Sequence, residues 1–253
     1  MNVEQKQKLK ETFNIAAKEY INNEYFNEFC ENLFGLNLNQ YNHLTKKQLD
    51  FLLSNMMKDK IANILDLGSG SGIISEYVSK SLSAKVTGID FADVAVKMAN
   101  ERNKSNALIN FLEMDFDELT FRDDEFDAVV SIDTLYFSSD LHKLIKQLKR
   151  ITKNGGKLYI FLTTISNGKI GEEIDIKKIL RCEKLSFSFT DFTEDERRFW
   201  TNHNRVIEEM RRKYSNENLL EELYIEGEYL LKYISENKVS RGFYMVENNA
   251  KRT

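Results

Sequence analysis

Ile64-Leu65-Asp66-Leu67-Gly68-Ser69-Gly70-Ser71-Gly72 decides the fold. An apolar run ends in an acid and breaks into alternating glycines. Helical spacing then resumes at Ile74, Tyr77, Val78 and Leu82. Glycine tolerates positive φ and lets a ligand approach the backbone without Cβ interference. The carboxyl end of a first strand is also where open α/β sheets bind ligands. Two ligand classes compete for such a loop. A dinucleotide site needs G-x-G-x-x-G, with pyrophosphate on the helix N-terminus. Here the spacing is G-x-G-x-G, and Ile73 stands where the last glycine is required. A carboxylate at Asp66 would repel pyrophosphate but favour a cationic, phosphate-free ligand.

Downstream, strands and helices alternate. Lys85–Ile89 reads as a strand and Ala92–Arg102 as a helix; strands follow at Ile109–Glu113 and Phe126–Ile132. Leu141, Leu144, Ile145, Leu148 and Ile151 repeat at helical spacing, and Asn154-Gly155-Gly156 turns into a strand at Lys157–Leu162. This rhythm predicts an α/β fold, a three-layer Rossmann-like doubly wound sheet with both faces covered. Residues 3–58 read as helices, with Thr45 and Gln48 forming a capping box. The last third departs from the rhythm. A strand is expected at Leu185–Phe189, and a capping box of Thr193 and Glu196 opens a helix carrying Trp200, Val206, Ile207 and Met210. A further helix runs through Leu219, Leu220, Leu223, Leu230 and Ile234, before a terminal strand within 241–248. The expected organisation is one domain over 1–253. It comprises an N-terminal helical segment (1–58), a binding core (61–162), cover helices (165–238) and the last strand.

Two more acids fall at strand ends. Asp90 closes Val86-Thr87-Gly88-Ile89 and can accept from both hydroxyls of a ribose; Asp115 follows the third strand and can accept from an adenine amino group. Phe91 and Met114 are apolar neighbours able to sandwich a base. An isolated strand-end Asp is usually a turn former, but these acids are in register with one glycine loop. Here the chain resembles the class I S-adenosylmethionine (SAM) dependent methyltransferases, in particular the ubiquinone/menaquinone-type small-molecule group. The resemblance rests on Asp66 through Gly72, Gly88-Ile89-Asp90, Met114-Asp115, Phe126 through Asp133, and Leu148 through Gly156. It implies a seven-stranded sheet with the last strand antiparallel. It also implies that Gly68 and Gly70 contact the methionine portion of SAM, Asp90 its ribose and Asp115 its adenine. The expected SAM-binding set is Asp66, Gly68, Ser69, Gly70, Gly72, Asp90, Phe91, Met114, Asp115, Phe116 and Ser131. Asn154 departs from the family, which commonly has proline there.

The methyl of SAM is already electrophilic, so alignment and water exclusion matter most, and a base is needed only when the acceptor must lose a proton. Asp133 could act as base or bind a cationic amine, and Tyr136 could orient an acceptor; a turn and core packing are their plainer roles. His203, beside Trp200, is a further base candidate, although a surface histidine on an amphipathic helix is the simpler reading. Arg198, Arg205 and Arg212 share a helix face that nearby Glu194, Glu208 and Glu209 would neutralise. No D/N-P-P-Y/F motif follows the fourth strand, and no cysteine lies there. The expected activity is methyl transfer to a small-molecule acceptor. The alternatives are a methyltransferase of protein or RNA and a non-catalytic SAM-binding protein; an NAD-dependent oxidoreductase is the weakest rival.

The composition agrees. The 253 residues carry 36 basic and 40 acidic side chains, net −4, so no global field draws the chain to nucleic acid. Cys30 and Cys182 lack disulfide or zinc spacing, and His43, His142 and His203 are too scattered for a metal site, so no metal is expected. No apolar run approaches the roughly 20 residues of a membrane span, and the charged N-terminus is unlike a signal peptide. A reducing cytoplasm, away from any membrane, is the expected setting.

Overall fold

The computed structural model describes residues 3–21, 23–40, 42–166, 175–214 and 218–249. Parts of the expected cover, 167–174 and 215–217, and the side chain of Leu219 lie outside the described residues. Three helices come first: α1 (Val3–Tyr20), α2 (Glu24–Phe34) and α3 (Lys46–Met56). The alternating core follows as β1 (Asn63–Leu67), α4 (Ile73–Leu82), β2 (Lys85–Asp90), α5 (Asp93–Asn103), β3 (Ile109–Glu113), β4 (Phe126–Ile132), a 3-10 turn (Leu135–Phe137), α6 (Leu141–Ile151) and β5 (Thr152–Ile165). Then come α7 (Ile176–Cys182), β6 (Ser186–Asp191), α8 (Thr193–Lys213), α9 (Asn218–Ser235) and β7 (Val239–Glu247).

The strands form one sheet in the order β3-β2-β1-β4-β5-β7-β6. The first five strands in sequence run parallel, and β7 inserts antiparallel between β5 and β6. The fold is the Rossmann-like α/β sheet expected, last strand included. Side-chain alternation explains its layering. Leu65, Leu67, Val129, Leu158 and Ile160 face one side and meet Leu144, Ile145, Leu148 and Ile151 of α6. Ile64, Val86, Val130, Tyr159 and Phe161 face the other and meet Leu49 and Leu52 of α3 and Ile74 and Val78 of α4. Strand order reverses between β1 and β4, which opens a crevice at their carboxyl ends. A separate cluster joins Phe26 and Phe29 of α2, Trp200 and Ile207 of α8, and Leu230 of α9. No helix among the described residues is long and apolar enough to cross a membrane.

The capping box of Thr45 and Gln48 forms, but the second one does not. The Thr193 hydroxyl accepts from the backbone N–H of Arg241 at 3.1 Å, and the Glu196 side chain turns inward, fully buried. Asn154-Gly155-Gly156 does not precede the strand. Strand β5 begins at Thr152, and the irregularity is absorbed as a register shift against Phe126 and Ala128, with Gly155 at φ +79°. Asn248 holds this bulge: its backbone accepts from Gly155 at 2.8 Å and donates to Gly156 at 2.9 Å. Helix α7 has no counterpart in the sequence reading.

One buried ionic cluster ties the layers together. Arg241 of β7 places Nη1 2.9 Å from both oxygens of Asp133, just past β4. Its Nε donates to Gln48 Oε1 of α3 at 3.1 Å and lies 3.5 Å from Glu196 Oε2 of α8. Arg241 and Glu196 have no solvent exposure. Removing one partner strands a buried charge, so Arg241→Met should lower the unfolding free energy by about 3–5 kcal/mol. Urea unfolding followed by Trp200 fluorescence measures this. A loss below about 1 kcal/mol would mean that water compensates the cluster.

Candidate functional site

The glycine loop begins where β1 ends. The N–H groups of Gly68 and Ser69 both donate to the Ile89 carbonyl at 2.9 Å, pinning the loop to β2. Gly70, at φ +50°, has nothing within 4 Å of where a Cβ would lie, so bare backbone faces open space. Gly72 is needed for a different reason. A Cβ there would meet the Phe111 ring at 2.5 Å, so it permits the close approach of α4 to the sheet.

Asp90 braces the loop. Its Oδ2 accepts from Gly70 N–H at 2.8 Å and its Oδ1 from Ala92 N–H at 2.9 Å. Burial raises its pKa, opposed by the N–H groups of Ala92, Gly70 and Phe91. Asp66 is 5% exposed and accepts from Ser75 Oγ at 2.5 Å. Burial pushes its carboxyl up to about 6, against the Ser75 hydrogen bond and with a further push from Asp90. The hydroxyls of Ser69 and Ser131 are buried without a hydrogen-bond partner.

Beside this crevice lies a cleft of about 550 Å³ lined by Phe91, Met114, Asp115, Phe116, Phe137 and α1 residues. The predicted binding residues thus gather in two adjoining places: Asp66, the glycines, Ser69, Asp90 and Ser131 at the crevice, and Phe91, Met114, Asp115 and Phe116 along the cleft. The sequence reads α1 as a helix, but its lysine contacts with the cleft were not anticipated. Lys6 reaches Asp115 and Asp117 at 2.6 Å each, and Lys10 reaches Glu113 at 2.5 Å and Asp93 at 3.4 Å. Lysines four apart on a helix were the available signal. Burial would raise the Asp117 carboxyl, but Lys6, Ser138 and Ser139 hold it down near 2.

The three base candidates separate. Asp133, at φ +52°, has its carboxylate engaged by Arg241 and by the N–H groups of His43 and Thr163. Tyr136 sits in the 3-10 turn with its ring 4.6 Å from Phe137, and burial raises its pKa well above the ordinary value. His203 is not a surface histidine. It is 2% exposed, against Trp200 at 4.8 Å and Phe29 at 5.3 Å, and burial lowers its pKa to about 4. The helix face of Arg198 and Arg205 pairs with Glu194 and Glu209, as read from sequence. The structure brings His43 in instead. Its Nδ1 lies 2.9 Å from Glu196 Oε1, a pairing across 153 positions that no local pattern announces.

A sheet of this order, with an open glycine bend and acids at successive strand ends around the switch point, defines a class I SAM-dependent methyltransferase fold. Residues 65–160 match the family described as "Methyltransferase domain". The chain is 31% identical over 117 residues to tocopherol O-methyltransferase of Arabidopsis thaliana, covering 45% of this chain and 34% of that protein. It is 27% identical over 129 residues to malonyl-[acyl-carrier protein] O-methyltransferase of Pseudescherichia vulneris, covering 51% of this chain and 49% of that one. The matched region thus spans between a third and a half of these relatives' length. Phosphoethanolamine N-methyltransferase 2 of Haemonchus contortus, solved with S-adenosyl-L-methionine, superposes with a TM-score of 0.77 at 20% identity, over 93% of this chain and 59% of that one.

Asp66 carries a stability cost that can be measured. Its pKa is about 6 in the fold against an ordinary 3.8. The folded state therefore holds the proton more tightly and loses stability as pH rises from about 4 through 6. Asp66→Asn should stabilise the ligand-free protein by about 1–3 kcal/mol at pH 7.5 and by little at pH 4, read from denaturant unfolding at the two values. Equal effects at both would show that its charge is not what costs stability.

Proposed function

We propose that the chain is a SAM-dependent methyltransferase acting on a small-molecule acceptor. The observation that carries this reading is the bare backbone at Gly70 between two buried acids, with the orphaned Ser69 and Ser131 hydroxyls beside it. Such a set suits a nucleoside that is cationic at its amino-acid end. It does not suit a pyrophosphate, because the nearby lysines, Lys6 and Lys10, are already matched by carboxylates.

SAM supplies an electrophilic methyl group on a sulfonium. The remaining work is done by residues of this chain. Asp90 accepts from the ribose, and Asp66 balances the ammonium. Phe91 and Met114 flank the base, and Asp115 accepts from its amino group while sharing its carboxylate with Lys6. Ser69 and Ser131 find hydrogen-bond partners in the ligand. Helix α1 stands over the adenine end, with Phe13 edge-on to Phe91 at 5.7 Å and to Phe137 at 5.4 Å, and excludes water there. We assign α2, residues 35–40 and 42–44, α8 and α9 to a cover over the acceptor side, within one domain, where they align the acceptor and keep water out. The shared aromatic cluster of α2, α8 and α9 supports this. The paired arginines of α8 give no support to an RNA acceptor. The two unpaired cysteines favour a reducing cytoplasm.

Calorimetry should show binding of S-adenosylhomocysteine and none of NAD. Asp90→Asn should weaken the former by about 1–3 kcal/mol through loss of charge-assisted hydrogen bonds. Preference for NAD would overturn the reading. Labelled SAM incubated with metabolite, RNA and protein extracts should label the metabolite pool; binding without labelling of any pool would favour a non-catalytic protein.

A further inference from the structure

Building on the methyltransferase reading, we propose that His43, held by the buried carboxylate of Glu196, is the catalytic base, and that the acceptor is a protic heteroatom, a hydroxyl or an ammonium, with no anionic group beside it. The placement carries the proposal. The backbone N–H of His43 donates to Asp133 Oδ2 at 3.3 Å, which sets the residue at the carboxyl end of β4. Thr134, the next residue, packs against Gly68 of the glycine loop, and the Asn39 carbonyl accepts from Ser71 Oγ at 3.1 Å. Residues 35–40 and 42–44 are therefore seated on the crevice, and His43 is at its acceptor side.

The ring is oriented by its neighbours. Phe199 stacks on it at 5.5 Å and 26°, and Trp200 meets it edge-on at 4.6 Å. Nδ1 is engaged with Glu196, whose same oxygen accepts from Trp200 Nε1 at 2.9 Å. Among the described residues no hydrogen-bond partner meets Nε2. The His43 side chain is 19% exposed whereas that of Glu196 is 0%, so within this cluster it is the imidazole that reaches outward.

The charges around it favour taking up a proton. The groups facing it are Glu196 and His203 of α8, Asp133 after β4, Arg241 of β7, Glu226 of α9, and Tyr136 of the 3-10 turn through its coupling to the same acids. The core of this set holds two carboxylates, Asp133 and Glu196, against one guanidinium; a proton on His43 evens the balance. Burial by itself would lower the His43 pKa, but Glu196 and then Asp133 override it and raise it, with Arg241 opposing. His203 stays neutral and adds no competing charge. With acids predominating and the one guanidinium committed to them, an anionic acceptor would be repelled.

The step balances simply. The acceptor X–H bond breaks, its proton passes to Nε2, and its electron pair forms the X–CH3 bond. The pair of the broken C–S bond stays on sulfur, and the imidazolium is left paired with Glu196. His43 touches the acceptor and is the catalytic residue; Glu196 acts through it and is a positioning residue.

Nitrogen NMR of the full-length chain, without acceptor, tests the arrangement. Neutral His43 should carry its proton on Nδ1 and titrate above the ordinary histidine value, and Glu196→Gln should lower that titration by about one unit. Labelled SAM with three probes, catechol, ethanolamine and malonate, tests the chemistry. The first two should be labelled in preference to the last. His43→Gln should cut the rate by about 10²- to 10⁴-fold while S-adenosylhomocysteine affinity holds within about twofold. Glu196→Gln should move the pH–rate profile to lower pH together with the NMR titration, a shift that a purely structural role would not give. If wild type binds S-adenosylhomocysteine but labels no probe or extract pool, the methyltransferase reading fails and this proposal with it. If wild type is active and His43→Gln keeps its rate, loses S-adenosylhomocysteine binding, or if malonate is preferred, the proposal alone is wrong. Should His43→Gln not fold, an unshifted profile in Glu196→Gln overturns it equally.

Discussion

The rest of the structure depends on how one buried guanidinium is neutralised. Arg241 lies on the strand inserted between β5 and β6, and it meets Asp133 past β4, Gln48 of α3 and Glu196 of α8. A buried ion cluster of this kind contributes little net stability compared with apolar packing, but it is expensive to leave half-made. Its effect is to allow one arrangement of the elements around it. Asp133 is held at positive φ by these bonds. That directs Thr134 against Gly68 and so settles where the glycine loop can lie.

The glycine-loop end of the crevice obeys a different electrostatic logic. Asp66 and Asp90 have raised pKa values because burial is incompletely answered by hydrogen bonds. Along the neighbouring cleft the acids are answered by α1, where Lys6 and Lys10 bridge four carboxylates. The Asn14 side chain also accepts from Val94 N–H at 3.1 Å, at the start of α5. These contacts are part-exposed and individually weak. Their collective result is to bring a helix with an amphiphilic face over the apolar wall of Phe91 and Met114.

How much of this was legible follows from the range of each interaction. The sheet was readable because β1 to β5 announce themselves by apolar runs within a few residues, and the acids at Asp66, Asp90 and Asp115 fall at strand ends that those runs define. What failed was long-range. Thr193 and Glu196 have capping-box spacing, but the alternative partners are Arg241 for one and His43, Trp200 and Arg241 for the other. Buried ionic bonds outcompeted a local cap. His203 was misplaced because a polar residue on a mixed helix reads as exposed, whereas α2 and α9 cover it here. His43 and Glu196 are brought together only by the completed fold, as are Lys6 and Asp115.

The two ends of the crevice make sense together when charge is followed across it. Under the proposed function, a positive charge begins on the cofactor side and is lost from sulfur as the acceptor is methylated. Asp66 and Asp90 are under-compensated where a cationic ligand would lie, so the ligand itself relieves their burial. On the acceptor side, Asp133 and Glu196 exceed Arg241 by one charge, and a proton on His43 completes that set. The first group is therefore built to bind a charge that arrives with the ligand. The second is built to hold one released by the acceptor. Binding the nucleoside needs only the first group, and fixing the fold needs only Asp133, Glu196 and Arg241; what neither requires is an imidazole completing the second set, which is the physical reason to read this crevice as a place of reaction.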